Sequence, residues 1–169
     1  MLDINRYRHK TPGPSKRSLE KTCLVINNNL AEMKLIVDRI SRDKECLSDA
    51  DKHRLLYYGS YLYDFYLLTE ENLLLIARIS DKWVPGSLDW RTRLINLMQS
   101  PVPDKRPPVL STQTASLLAD YLGLFLNYHH QCSTLSAPRI IKMIDKLDHL
   151  YNQLEKELTF ITEVLTKIR

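Results

Sequence analysis

The chain has 169 residues, of which 44% are hydrophobic and 26% charged, and it contains only four glycines. A chain of this length suits one domain and buries enough surface to hold a core without disulfide bonds. It has no apolar run long enough to cross a bilayer and no signal peptide is expected, which argues against a membrane protein. Its three cysteines are an odd number without metal-like spacing, which favours a reducing, cytoplasmic compartment.

The net charge of +4 is concentrated at the N-terminus. Residues 1–17 sum to +4, so residues 18–169 carry equal numbers of basic and acidic side chains. Because the basic segment also contains two prolines and a glycine, we predict a disordered, solvated arm over 1–17 and a single domain over 18–169. Alternatively, the arm makes nonspecific contacts with phosphate groups, which would weaken steeply as salt increases.

Two long helices are predicted after the arm. Apolar residues recur at alternating steps of four and three from Leu19 to Ile40, which predicts a helix of about 25 residues with a heptad seam. Ser48 and Asp51 have the spacing of a capping box for a second helix, which runs from about 49 to 80. That helix is apolar over more than half of its circumference, so it must be covered on two sides.

Three further helices are predicted after a turn at residues 84–86. The first is short, from about Asp89 to Gln99, and the four prolines in 101–110 predict an extended linker packed on the surface. Ser111 is expected to cap a central helix and Ser136 to cap the last one. No segment shows strand alternation of any length. The predicted fold is therefore all-α, an up-and-down bundle of four long helices plus one short helix.

The central helix ends in a polar cluster, Asn127–Cys132, which contains the adjacent histidines His129 and His130. Neighbouring helical positions differ by about 100°, so the two side chains cannot share one direction. Because histidines transfer protons near neutral pH, both are candidate catalytic residues. Alternatively, they are a solvated helix end that the helix dipole favours. A zinc site from His129 and Cys132 would lack two further ligands at any recognisable spacing, and we expect neither a metal nor a cofactor.

Four groups of residues follow one another in a distinctive order. They are Tyr63, Asp64, Phe65, Tyr66 and Glu70; Asp89, Trp90, Leu94 and Met98; Arg106, Pro107, Val109, Leu110 and Ser111; and His130 with Pro138. Together they resemble the HepT-like proteins of the HEPN superfamily, over about residues 54–165. Members of that family are all-α homodimers, and typical ones are toxin ribonucleases paired with a small nucleotidyltransferase antitoxin. The resemblance therefore implies a HEPN-like bundle, a homodimer and a toxin-antitoxin context.

The motif of that family is an Arg, four residues, a His, any residue and a Tyr. The resemblance assigns the His place, near the dimer cleft, to His130 as catalytic base or acid, but Phe125 stands in the Arg place and Cys132 in the Tyr place. In the family, the Arg steadies the phosphorane charge and the Tyr is adenylated by the antitoxin. Neither role carries over to these two residues. His129 falls at a second position that is often Arg in this subgroup.

Two functions remain open on the sequence. In the first, the degenerate motif leaves a dimeric helical interaction module that binds a nucleotidyltransferase-like partner or RNA without cutting it. In the second, the protein is an active metal-independent ribonuclease with His130 as base, and His129, Arg139 or Lys142 supplies the missing cation. Because two helices carry more apolar surface than four helices can hide in one chain, we also predict a homodimer with the histidine end at or beside its two-fold axis.

Overall fold

The structure, a computed structural model, describes residues 14–43, 52–81, 86, 88–130 and 136–167, and within them the side chains at 52, 55 and 127–130 are outside the description. The helices are α1 (Lys16–Asp43), α2 (Lys52–Ile76), α3 (Trp90–Gln99), α4 (Thr112–His130) and α5 (Ala137–Lys167), with a π-helical turn, Ala77–Asp81, directly after α2. The described ranges contain one isolated β-bridge and no strand. The prediction of an all-α protein with four long helices and one short helix is confirmed.

Helices α1 and α5 pack against each other along their apolar seams. The seven predicted seam residues of α1 are all buried: Leu19, Cys23, Ile26, Leu30, Met33, Val37 and Ile40. The predicted seam of α5 is likewise buried from Ile140 to Leu165. The Ser41 hydroxyl donates to Asp148 Oδ2 over 3.3 Å, and the Cys23 thiol donates to the Thr162 carbonyl over 3.8 Å. These contacts show that the two helices are antiparallel.

Helix α2 contacts α1, α4 and α5. Its buried side chains cover the wide apolar face that the sequence predicts, and they include Tyr58, Leu62, Phe65, Tyr66, Thr69, Leu73 and Ile76. On the α1 side, Asn29 Nδ2 donates to the buried Asn72 Oδ1 over 2.9 Å. On the α4 side, Tyr63 contacts Phe125. The four long helices alternate in direction, as expected for an up-and-down bundle.

The segment between α3 and α4 is built around a buried arginine, whereas the sequence predicts an extended linker on the surface. Arg106 has no exposed area, and its Nε and Nη2 donate to the two carboxylate oxygens of Asp81 over 2.9 and 2.8 Å. The same guanidinium donates to the carbonyls of Leu97, Ser100 and Pro107. A buried charge is tolerated only when it is paired and hydrogen-bonded. This ion pair therefore ties the chain after α2 to the segment that leads into α4.

Serine caps mark the starts of α4 and α5, as predicted. Ser111 Oγ and Ser136 Oγ each accept a hydrogen bond from the amide three residues later, over 3.1 and 3.4 Å. The Tyr121 hydroxyl of α4 donates to the Met143 carbonyl of α5 over 2.6 Å, and the Thr114 hydroxyl donates to Glu157, so the two helices are antiparallel. The end of α4 therefore lies at the same end of the bundle as the start of α5. In the described ranges, no helix combines the length and hydrophobicity needed to cross a membrane.

The N-terminus of α1 lies at the other end of the bundle. Helix α1 begins at Lys16, so Lys16 and Arg17, which the prediction assigns to the arm, are helical. Lys16 lines a small pocket together with Thr166 near the end of α5. Residues 1–13, the predicted capping box at 48–51 and most of the predicted turn at 84–86 lie outside the described residues. The disordered arm therefore stays a prediction.

Candidate functional site

The C-terminal half of α4 carries the candidate site. The helix continues through residue 130, as the sequence predicts. The side chains of His129 and His130, and the whole of Cys132, lie outside the described residues, so their roles stay predictions. The helical register places position 129 on the same face of α4 as Phe125, and position 130 on the same face as Gly123, because four and seven residues nearly complete whole turns.

Phe125, which stands in the Arg place of the motif, is part of the protein core. Its side chain is only 4% exposed. The ring stacks almost parallel on Tyr63, with centroids 4.6 Å apart and an angle of 5° between the planes, and its centroid lies 4.9 Å from that of Tyr66. Aromatic pairs of this kind stabilise a fold by about 0.5–1.5 kcal/mol beyond their buried area. The position therefore serves the packing of α4 on α2.

A guanidinium from another helix lies over the same ring. Arg91, in the first turn of α3, has its Cζ 4.8 Å from the ring centroid of Phe125 and 4.3 Å from that of Trp90. Its Nε donates to Glu70 Oε2 over 2.7 Å. The side chain of Arg91 is 29% exposed, whereas that of Glu70 is 8% exposed. The ion pair is thus buried at its acidic end and reaches solvent at its basic end.

Glu70 holds the arginine from inside the bundle. Burial raises the pKa of Glu70, while the charge of Arg91 and hydrogen bonds from Arg91 and Tyr66 act in the opposite direction. Burial also raises the pKa of Tyr66, so its hydroxyl remains protonated and can donate to Glu70. A charge-assisted hydrogen bond and two aromatic faces restrict the guanidinium to one position. The cation is therefore placed before any ligand arrives.

The two other candidate cations, Arg139 and Lys142, lie on α5. A Cβ built on Gly123 would be 2.7 Å from Nη2 of Arg139, so the arginine lies against α4 where the glycine leaves room. Lys142 is exposed. Position 130 follows Gly123 by seven residues, or about 10 Å along the helix axis. Arg139 therefore meets α4 two turns before the candidate histidine, whereas Arg91 meets it at the motif position itself.

Neither Arg91 nor Glu70 is predicted as a site residue from the sequence. Glu70 and Trp90 contribute to the family resemblance, but only as parts of a pattern. The one local signal is that Arg91 directly follows Trp90 at the start of a helix. Nothing in the chain between Arg91 and Phe125 indicates that they meet, because their contact depends on the packing of α3 against α4.

The described residues bring together a partly exposed cation, a buried carboxylate and several aromatic rings. A guanidinium offers flat, directional donors that match phosphate oxygens, and the half-buried Trp90 ring beside it can contact a planar group. This arrangement can bind a phosphate group that is attached to a base. Within the described ranges, no group of three or more His, Cys, Asp or Glu side chains is arranged to hold a metal ion.

A protein-family model matches most of the helical body. The model is described as HepT-like protein, and it matches residues 58–165, more than half of the chain. The matched range includes Glu70, Arg91 and Phe125. No curated protein and no solved structure matches the chain.

Proposed function

The chain belongs to the HepT-like family of the HEPN superfamily, and from this membership we propose that it is a cytoplasmic protein of toxin-antitoxin type that binds RNA as a dimer without cutting it. The observation that carries the proposal is the packing of Phe125. Where the family motif has a guanidinium, this chain has a ring that is 4% exposed and stacked on Tyr63. The motif position itself has no charge to offer to a reacting phosphate.

The chemistry of RNA cleavage explains why this loss matters. Attack by a 2′-hydroxyl needs proton transfer, which His130 could supply, and it also needs donors for the charge that develops on phosphorus. Removing one such donor commonly lowers the rate by about 10² to 10³. Binding needs less, because a cation near the strand suffices to hold a phosphate. A site that has lost the motif Arg can therefore retain RNA affinity after it has lost turnover.

RNA is favoured over a nucleotidyltransferase-like protein as the ligand at this end of the bundle. Arg91 lies beside the rings of Trp90 and Phe125, and a cation beside aromatic faces is a common way to bind a single strand. The family's modification of a tyrosine has no acceptor at the expected place, where Cys132 stands. A nucleotidyltransferase-like partner remains part of the proposed toxin-antitoxin context.

The proposed homodimer is supported by the surface between α3 and α4. This groove is lined on the α4 side by small residues, among them Ala115, Ser116 and Ala119. Leu126 continues the same face toward position 130 and is 42% exposed. Light scattering should give twice the mass of one chain, and Leu126→Glu should shift the protein toward monomer. Leu24→Glu is the matched control, because Leu24 is 60% exposed on α1, which packs mainly against α2 and α5 and not against the helices of the groove.

A nuclease assay in the presence of a chelator tests the proposal. The full chain is incubated with cellular RNA beside His130→Ala, and RNA binding is measured in parallel by fluorescence anisotropy. His149→Ala is the control, since His149 is an exposed histidine of α5 whose ring bonds only to Gln113 among the contacts in the described ranges. We expect binding without cleavage for all three proteins. Cleavage that His130→Ala abolishes and His149→Ala retains would overturn the noncleaving function.

That outcome would instead establish the second candidate, an active metal-independent ribonuclease with His130 as base. One observation favours keeping this candidate. Arg91 brings a guanidinium to within 4.8 Å of the ring that replaces the motif Arg, so a cation is present near that position although the motif lacks it. In this case, Arg91→Ala should lower the cleavage rate by about 10² or more.

A further inference from the structure

We propose that Arg91 is the phosphate-binding residue for single-stranded RNA, supplied by α3 in place of the missing cation of α4. This inference rests on the proposed function, because it names the group that would hold the RNA. It differs from the family motif in the helix that provides the charge. The argument follows from the position of Arg91, its free donors and the groups around it.

Arg91 is held in place by one ion pair and by two aromatic rings. The Nε edge donates to Glu70 Oε2 over 2.7 Å. Its Cζ lies over the rings of Trp90 and Phe125, 4.3 and 4.8 Å from their centroids. A side chain that is ordered before binding loses little further conformational freedom when a ligand arrives. The arrangement therefore suits binding better than a solvated arginine would.

The outer end of the guanidinium remains available. Within the described ranges, the only hydrogen bond of the Arg91 side chain is the one from Nε, so its two terminal nitrogens donate to no other group there. The side chain as a whole is 29% exposed, whereas its partner Glu70 is 8% exposed. Two parallel N–H groups match two oxygens of one phosphodiester. Trp90, which is half-buried beside them, can contact a neighbouring base.

The neighbouring residues distinguish Arg91 from other surface arginines. Arg93 lies on the same helix and pairs with Asp89 over 2.9 Å, but both of these side chains are 58% exposed. No ring contact to Arg93 is present in the described ranges. Removal of either arginine changes the net charge equally. A difference between the two variants therefore reports the local site and not the overall charge.

The test measures the binding of a fluorescent single-stranded RNA by anisotropy at several salt concentrations, with the full chain. Arg91→Ala should raise Kd about tenfold and reduce the slope of log affinity against log salt by about 0.7. Arg93→Ala should change Kd by less than about twofold. Arg91→Gln, which keeps most of the stem over the rings and a donor for Glu70, should weaken binding as Arg91→Ala does. Far-UV circular dichroism verifies that each variant is folded.

The possible outcomes separate this inference from the proposed function. If the unaltered protein binds RNA and the Arg91 variants bind equally well, or no worse than Arg93→Ala, the assignment of Arg91 is wrong while RNA binding stands. If the unaltered protein binds no RNA at low salt, the proposed function fails and the assignment fails with it. Loss confined to the Arg91 variants, including the folded Arg91→Gln, supports the assignment.

Discussion

Replacing Phe125 by arginine would restore the family motif at this position, and the structure predicts that the core no longer accepts it. The side chain is 4% exposed, and its ring centroid lies 4.8 Å from Cζ of Arg91. Two like charges about 5 Å apart repel each other by about 3 kcal/mol at an effective dielectric constant of about 20. Loss of the stacked ring adds about 2 kcal/mol, since the arginine stem keeps part of the buried area.

The expected destabilisation, about 5 kcal/mol, approaches the whole free energy of unfolding of a typical domain. The Tm of Phe125→Arg should therefore fall by about 10 °C or more. Thermal and urea unfolding of the full chain, followed by far-UV circular dichroism, measure the change. Gln113→Arg adds the same charge at an exposed position of the same helix and should lie within about 2 °C of the unaltered protein. Equal melting of the two variants would refute the reasoning.

A combined variant separates repulsion from lost packing. In Phe125→Arg with Arg91→Ala, the like-charged neighbour is absent and Glu70 is free to pair with the new guanidinium. We expect the combined variant to be more stable than Phe125→Arg alone by about 2 kcal/mol. If removal of Arg91 instead adds its full cost to that of Phe125→Arg, the two side chains do not interact at the distance on which the estimate depends.

Three further changes have expected outcomes in unfolding experiments. Asp81→Ala leaves the fully buried guanidinium of Arg106 without its carboxylate, and it should lower the free energy of unfolding by about 3–5 kcal/mol, measured with urea. Asp38→Ala is the control, because it removes an ion pair whose side chains are about half exposed and should cost less than about 1 kcal/mol. Equal costs would contradict the burial argument. Burial raises the pKa of Tyr121, so above a pH of about 10 the folded state binds more protons than the unfolded state. The free energy of unfolding should therefore fall there by about 1.4 kcal/mol per pH unit for this group. Tyr121→Phe should lose about 1 kcal/mol at neutral pH with its hydrogen bond but show a shallower alkaline decline in urea unfolding; an unchanged decline would exclude this tyrosine as a cause. Gly123→Ala brings a methyl group to 2.7 Å from the flexible end of the Arg139 side chain, which can move aside. The gain in helix propensity should therefore raise the free energy of unfolding by up to about 1 kcal/mol. A lower Tm would show that the arginine is fixed.

The helices could be predicted from the sequence because burial along a helix repeats with a short period. Every predicted seam position of α1 from Leu19 to Ile40 is buried, since its spacing alone determines one face. The starts of α4 and α5 could be predicted equally well, because Ser111 and Ser136 accept hydrogen bonds from amides only three residues away. The resemblance to the HepT-like family supplies the motif, and the spacing from His130 then assigns Phe125 to its Arg place.

The contacts of two arginines could not be predicted, since they depend on residues distant in the chain. Arg106 lies in a proline-rich segment, where a basic side chain is normally exposed. Its burial depends on Asp81, which lies 25 positions earlier in the chain, before α3. Arg91 reaches Phe125 only because α3 packs beside the C-terminal half of α4. No periodic pattern relates such pairs, so their partners became visible only in three dimensions.

The geometry of Arg91 and Phe125 also limits which residues can occupy these two positions together. A repulsion of about 3 kcal/mol corresponds to a factor of more than 100 in a folding equilibrium constant. One buried carboxylate, Glu70, can neutralise one guanidinium at this place but not two. A chain of this fold should therefore carry arginine at the position of Phe125 or at that of Arg91, and both only where a second acid lies within reach. In relatives of this chain, frequent pairs of arginines at the two positions, without an additional acid in α2 or α3, would contradict the electrostatic argument. Their mutual exclusion would mean that the cation has moved from one helix to another, and that its absence from the motif does not by itself leave the site uncharged.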